Sequence, residues 1–249
     1  MNKRRKTPLE IENIEVNSCT IDLRMKIIHG LPFFQNLSDK EISQINKSFS
    51  DTHYNTDDII YLDGEKAARL CVIASGSVKL VKQNRNGNEI LIDILKPGEF
   101  FGNLDPFEGS IYQETAVVQT QACIMKIDTG NFRNILNTYP SAALTVLDIT
   151  LKRLRESQEI VKQLSSYSVE SRVAYTLLKL SEKLGEEKDI GLLIQIPLSR
   201  NDIAGMTGTT PETASRILSR MQKENIIQTG RKWLAIKNID LLNKMIDLK

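Results

Sequence analysis

Histidine and cysteine are scarce in this chain, at two and three of 249 residues. Cys19, Cys71 and Cys123 are widely spaced and form neither a C-x-x-C run nor a disulfide framework, so a reducing cytoplasm is the expected compartment. His29 and His53 make no H-x-H pair, and no nucleophile–base pair with recognisable spacing occurs. No stretch approaches the ~18 apolar residues of a membrane span. Met1-Asn-Lys-Arg-Arg-Lys6 is basic, but no apolar h-region follows it. It is therefore read not as a secretory signal but as a disordered tail with a weak phosphate contact. The composition is 41% hydrophobic and 26% charged with a formal net charge of +2. That is ordinary for a soluble protein, and the length suits one large domain or two modest ones.

The most informative stretch runs from Ser199 to Met221. Ser199 can cap a helix, with Asp202 three residues on as a short form of the capping box. Ile203, Ala204 and Met206 give that helix an apolar side, and Gly208 supplies a turn. Thr210 can cap a second helix with Pro211 at its first position, where the missing N–H costs nothing. Ala214, Ile217, Leu218 and Met221 follow at helical spacing and face a core. Glu212, Ser215 and Arg216 are left near the N-terminal end of the second helix, the part that a helix-turn-helix inserts into the DNA major groove. There Arg can bond guanine O6 and N7, Glu can accept from cytosine N4, and Ser can reach either kind of group. Taken alone, the segment reads equally as an ordinary helical hairpin with a solvated charged face.

The residues beyond Met221 favour DNA. Gln228-Thr-Gly-Arg-Lys-Trp-Leu-Ala-Ile236 reads as strand, turn, strand, the wing of a winged helix with Arg231 and Lys232 at its tip. Residues 199–237 carry seven positive and three negative side chains, concentrating positive charge where phosphates would lie.

Upstream, Ser38 and Glu41 form a capping-box pattern ahead of Ile42 and Ile45. Short strand patterns occur at 59–62, 70–73, 77–81, 89–92, 116–118 and 122–125, separated by Gly and Asn turns, and suggest a barrel or sandwich. Cys71, between Leu70 and Val72, reads as a small buried hydrophobe. Residues 140–164 return to helical period. Leu147, Leu151, Leu154, Gln158 and Val161 fall at alternating spacings of four and three, a coiled-coil-like seam prolonged by Leu164. Arg153, Arg155, Glu156, Glu159 and Lys162 flank it, which favours a twofold dimer seam over a helix packed on its own barrel. Ser165–Ser168 reads as a hinge, and Val169–Leu184 as a further helix.

From about residue 30 to its end the chain resembles the bacterial cyclic-AMP-receptor/FNR (CRP/FNR) superfamily of transcription regulators. The resemblance rests on the string Leu198-Ser-Arg-Asn-Asp-Ile-Ala-Gly-Met-Thr-Gly-Thr-Thr-Pro-Glu-Thr-Ala-Ser-Arg216, the wing and the upstream roll pattern. It implies an α+β fold with a double-stranded β-roll sensor, a long dimerisation helix and a C-terminal winged helix-turn-helix. The implied divisions are an extension over 1–30, loosely structured, a roll over 31–138, a helix over 139–165 and a DNA-binding domain over 166–249. Glu212, Ser215 and Arg216 match the Glu-x-x-Ser-Arg arrangement of the FNR-like branch, implying a palindrome close to TTGAT-N4-ATCAA. Pro211 departs from both branches and leaves the outer base pairs open.

The resemblance further implies base contacts from Glu212, Ser215 and Arg216, and phosphate contacts from Ser199, Arg200, Thr210, Arg220, Arg231 and Lys232. Partners would be double-stranded DNA, a second copy of the chain and RNA polymerase, with no membrane. Where relatives hold a cyclic nucleotide, the ribose Glu falls here on Asn103, the phosphate Arg on Gln113 and its Ser on Glu114. A carboxylate would repel the phosphate, so cyclic AMP is not expected. An iron–sulfur cluster needs four ligands, usually thiolates. The haem relay of carbon-monoxide-sensing relatives uses Cys and His after the Gly-Glu-Phe-Phe-Gly string, and residues 101–115 contain neither. No cofactor is expected.

Cys19 and Cys123 stand at positions that resemble a cluster-ligand Cys and the distal roll Cys of FNR-like proteins. If the extension folds across the roll, the two could form a reversible, redox-sensing disulfide. An unidentified small ligand and a constitutive regulator with a vestigial sensor stay open. A β-roll metalloenzyme, which needs an H-x-H and a carboxylate on a metal, is the rival class that His29 and His53 do not serve.

Overall fold

Thr20 accepts the backbone N–H of Leu23 and starts a helix, α1 (Ile21–Gly30), where the sequence reading expects loose chain. The computed structural model describes residues 7–10, 19–83, 87, 89–105 and 109–247. The basic tail 1–6 and residues 11–18 of the extension lie outside the described residues. α2 (Asp39–Asn46) begins with the expected capping box, Ser38 and Glu41 each bonding the other's backbone N–H. Six strands follow, β1 (Ser50–Tyr54), β2 (Ile59–Tyr61), β3 (Arg69–Gln83), β4 (Glu89–Leu95), β5 (Phe100–Gly102) and β6 (Thr115–Asp128). They pair antiparallel in the order β1-β6-β3-β4, with β2 also on β6 and β5 on β3.

Two pairs of expected short strands are each one long strand. The stretches 70–73 and 77–81 belong to β3, and 116–118 and 122–125 to β6. The polar residues between them mark bends, not turns. The β3–β6 register shifts around Ser75 to Val78, and Gly76 sits there at φ +82. A Cβ at Gly76 would lie 2.2 Å from the Gln121 carbonyl oxygen, so only glycine permits this close crossing. β1 and β5 carry no clear strand pattern: four of the five β1 residues are exposed on an edge, and β5 spans only three residues.

Because side chains alternate along a strand, the two faces of this sheet feed two cores. Leu70, Val72, Cys123, Met125 and Ile127 pack with Ile28, Phe33, Phe34, Phe49 and Phe132. Cys71, Ile73, Ala122 and Ile124 face inward with Tyr61, Val78, Phe101 and Tyr112.

The chain continues through α3 (Thr129–Thr138), α4 (Pro140–Ser166) and α5 (Val169–Leu184). Then come β7 (Gly185–Lys188), β8 (Gly191–Ile194), α6 (Arg200–Thr207), α7 (Pro211–Lys223), β9 (Ile227–Gly230), β10 (Trp233–Ile236) and α8 (Ile239–Asp247). The last four strands form a sheet in the order β7-β8-β10-β9. Two compact units result. One comprises Glu12–Lys82 and Asp93–Glu156; the other comprises Met1–Ile11, Gln83–Ile92 and Ser157–Lys249. Among the described residues, no helix is long and apolar enough to cross a membrane.

Candidate nucleic-acid interface

α6 starts where Ser199 Oγ accepts the Asp202 N–H at 3.1 Å and the Asp202 carboxylate accepts the Ser199 N–H at 2.6 Å. It ends at Gly208, in the left-handed conformation. Thr210 Oγ1 then accepts the Thr213 N–H and opens α7, with Pro211 in its first turn. Ala214, Leu218 and Met221 are fully buried and Ile217 nearly so, which fixes the rotation of α7. Glu212 and Arg216 are consequently exposed near its N-terminal end, with Ser215 half-buried between them. Thr210 is exposed and Ser199 half-buried. At the wing tip between β9 and β10, Arg231 and Lys232 are both exposed, and Lys232 adopts a left-handed φ of +59. The hairpin is tied back by the Leu198 N–H, which donates to the Lys232 carbonyl at 3.0 Å.

Two of the expected phosphate ligands have protein partners. Arg200 is half-buried and donates to Thr229 Oγ1 at 3.0 Å, and that hydroxyl donates to Gln222 Oε1 at 2.7 Å. Desolvation by burial lowers its pKa. Arg220 forms an ion pair with Glu170 on α5. Each thus lies beside a polar partner on a neighbouring element, and Arg220 keeps a side chain that is 48% exposed. Arg172 escaped the sequence reading. From α5 it donates to the Thr207 carbonyl at 2.8 Å, setting a cation at the C-terminal end of α6, and to the Tyr167 carbonyl at 3.0 Å.

α4 presents two faces. Ala142 is buried, and Ala143, Val146 and Ile149 pack against the outer core of the roll. Arg153 donates to the Phe100 carbonyl at 3.1 Å and lies over the Phe100 ring, so it grips the roll instead of flanking a free seam. Leu147, Leu151, Leu154 and Val161 are 42 to 62% exposed, and Gln158 is exposed with them. This seam therefore does not serve as a packing face on the chain's own barrel.

In the roll, a cavity of about 430 Å³ is lined by Asn103, Asp105, Ser110, Tyr112, Gln113 and Glu114 among others. Asn103 is 7% exposed and spends its amide on the carbonyls of Ala67 (2.8 Å) and Asp105 (3.1 Å). Glu114 accepts from Tyr61 Oη at 2.9 Å, and the Tyr61 ring stacks on Tyr112 at 3.7 Å. No lysine or arginine is among the described lining residues. Glu114 sets a carboxylate in this lining.

Cys19, immediately ahead of the α1 cap, and Cys123 on β6 are disulfide-bonded, with Cα atoms 6.4 Å apart. Cys123 is fully buried and Cys19 half-buried. The Asp51 carboxylate lies within 4.8 Å of the sulfurs. Arg24 forms an ion pair with Asp51 and donates to Asn46 Oδ1 (3.0 Å) and the Phe49 carbonyl (2.7 Å). Arg24 thus pins α1 to β1, a role with no signal in the sequence. Cys71 is buried, and burial pushes its thiol up to about 12. His29 and His53 are both exposed.

Comparison with known proteins agrees with this geometry. The cyclic nucleotide-binding domain matches residues 51–139, and the Crp-like helix-turn-helix domain matches residues 171–245. The cyclic AMP receptor protein of Thermus thermophilus is 26% identical over 216 residues, covering 87% of this chain and 97% of that protein. A probable transcriptional regulator, flp, of Lacticaseibacillus casei is 26% identical over 213 residues, 84% of this chain and 93% of its own. The solved structure of FixK2 from Bradyrhizobium japonicum superposes with a TM-score of 0.70 at 22% identity, covering 79% of this chain and 96% of that one, and shares the fold. The two matched domains in this order, with relatives that cover 84 to 87% of it, make this chain similar to CRP-type transcription regulators with a DNA-binding helix-turn-helix.

Proposed function

We propose that this regulator binds DNA as a homodimer, reads an FNR-like palindrome close to TTGAT-N4-ATCAA, and is governed by the thiol–disulfide state of Cys19 and Cys123. The observation that carries the reading is the exposed N-terminal end of α7, where Glu212 and Arg216 stand clear of the core that holds the helix. Arg216 bonds guanine, Glu212 accepts from cytosine on the opposite strand, and Ser215 sits against the adjacent A·T pair. Arg231 and Lys232 contact phosphate from the wing, and the hydroxyl of Ser199 can donate at the start of α6; at the start of α7 the Thr210 hydroxyl, which here donates to Thr213 Oγ1 at 3.2 Å, turns to the phosphate when DNA binds. The exposed seam Leu147, Leu151, Leu154, Gln158 and Val161 supports pairing with a second copy, which matches a twofold protein to a palindromic site.

Selection of bound sequences from a randomised duplex pool tests the readout. Enrichment of inverted TTGAT half-sites four base pairs apart is expected. Enrichment of unrelated sequences, or of none, would overturn it.

A second reading has one observation in its favour: the 430 Å³ cavity, whose polar lining suits a small ligand other than a cyclic nucleotide. Under that reading the disulfide fixes the fold of the extension and the cavity receives the signal.

A further inference from the structure

The Cys19–Cys123 pair has a third neighbour, the Asp51 carboxylate, and the strand register accounts for it. On β1 and β6, His53 stands opposite Cys123 and Asp51 opposite Met125. Asp51 is therefore the diagonal neighbour of Cys123, because side chains two apart along a strand share a face. Cys19 reaches that face from just ahead of the α1 cap and packs on the outer core. Both sulfurs and one Asp51 oxygen lie within 4.8 Å of one another. Arg24 holds the carboxylate through their ion pair and is itself fixed by Asn46 and Phe49.

Once the disulfide is opened, this corner offers two soft donors and one hard one. Bonds of ~2.3 Å to each sulfur set the two sulfurs of a tetrahedral zinc site ~3.8 Å apart. With the Cα atoms 6.4 Å apart, side-chain rotation alone reaches that separation. Two thiolates, a carboxylate, a divalent cation and the Arg24 guanidinium together carry no net charge. The burial of Cys123 then isolates no unpaired ion. An iron–sulfur cluster, usually held by four thiolates, finds too few here.

We propose that, when reduced, Cys19, Cys123 and Asp51 bind one divalent cation of the zinc class, with water completing the tetrahedron. The inference deepens the reading of Cys19 and Cys123 as a reversible redox pair and rests on it. The two segments are tied by a covalent bond when oxidised and by a cation when reduced. Opening the disulfide takes two electrons and two protons, and binding the cation releases both thiol protons. A two-electron oxidant such as hydrogen peroxide rejoins the sulfurs and expels the cation, taking two protons from solvent and ending as two waters. Asp51 also sets the choice of cation: paired with thiolates, its single oxygen favours zinc over magnesium or calcium, which need an oxygen shell.

The test uses the full chain, reduced with a phosphine that ends as its oxide, then desalted under argon. Thiols counted in urea should rise from one, Cys71, to three. Titration with zinc chloride against a chromophoric chelator should give one zinc per reduced chain and none per oxidised chain, unaffected by excess magnesium. Cobalt chloride should give a sulfur-to-cobalt charge-transfer band in the near ultraviolet. Cys19→Ser should abolish the band. Asp51→Asn, with its fold checked by circular dichroism, should keep three thiols yet bind zinc at least ~10-fold more weakly, the scale seen for lesser, outer-shell losses. Three thiols without zinc binding would overturn the site, as would equal binding by the oxidised chain, by Cys19→Ser or by Asp51→Asn. A count that stays at one thiol after the phosphine would overturn the reversible pair itself, and the cation site with it.

Discussion

Cys19 and Cys123, 104 residues apart in the chain, are joined by a disulfide that ties the residue ahead of α1 to β6. A bond closing so long a loop restricts the unfolded chain far more than the folded one, an effect of typically 2–4 kcal/mol. Cys19→Ser is therefore expected to lower unfolding stability by about 2–4 kcal/mol under oxidising conditions. Dithiothreitol should impose the same shift on the unaltered chain and none on the variant. Urea unfolding followed by circular dichroism measures both, and an unaltered chain indifferent to reductant would contradict the expectation.

Cys71 should behave as the opposite kind of thiol. Burial raises its pKa to about 12, so it stays protonated, and thus poorly nucleophilic, at every pH below that value. Iodoacetamide at pH 8 should label Cys19 in the reduced, folded chain and leave Cys71 untouched until urea is added. Mass spectrometry of tryptic peptides reads the two sites separately. Rapid native labelling of Cys71 would show that its pocket opens.

The α4 seam makes a prediction about assembly. Leu151 and Leu154 are 42% and 54% exposed in the single chain, so Leu151→Asp with Leu154→Asp should leave each subunit folded. Across a twofold axis the introduced charges meet their own copies, a like-charge juxtaposition worth several kcal/mol. Sedimentation velocity should then report a monomer where a dimer is expected of the unaltered chain, and binding to the palindrome should collapse with it. Unchanged dimerisation would place the interface elsewhere.

Base and phosphate contacts separate by their signatures. Arg216→Ala is expected to cost about 1–3 kcal/mol per half-site and to relax sequence choice at the guanine. Arg231→Ala with Lys232→Ala should weaken all duplexes alike and flatten the salt slope. Competition titrations with single-base variants of the half-site distinguish the two patterns.

How much of the fold and the site is legible in the sequence depends on the range of the interactions. The Ser38–Glu41 box, both helices of the helix-turn-helix and the wing rest on contacts within a few residues, and they appear where caps, Pro211 and Gly208 place them. β3 and β6 read as broken strands because the bend at Gly76 uses the same residue types as a turn, and only the cross-strand approach of Gln121 distinguishes them. α1 gives little sign of itself because its hold on the roll comes from Arg24 reaching Asn46, Phe49 and Asp51, more than twenty residues away. The same limit applies to the cations of the helix-turn-helix. Arg200 and Arg220 look free in sequence, and their partners Thr229 and Glu170 come from other elements.

The most direct measurement is anisotropy on the TTGAT-N4-ATCAA duplex against a scrambled control at fixed salt, with the protein first anaerobically reduced and then oxidised. Tight binding that prefers the palindrome, with affinity differing between the two states, is the expected result. Equal preference in both states would detach the Cys19–Cys123 bond from control of DNA binding. No preference in either state would contradict the assignment of Glu212, Ser215 and Arg216 as readers of that half-site.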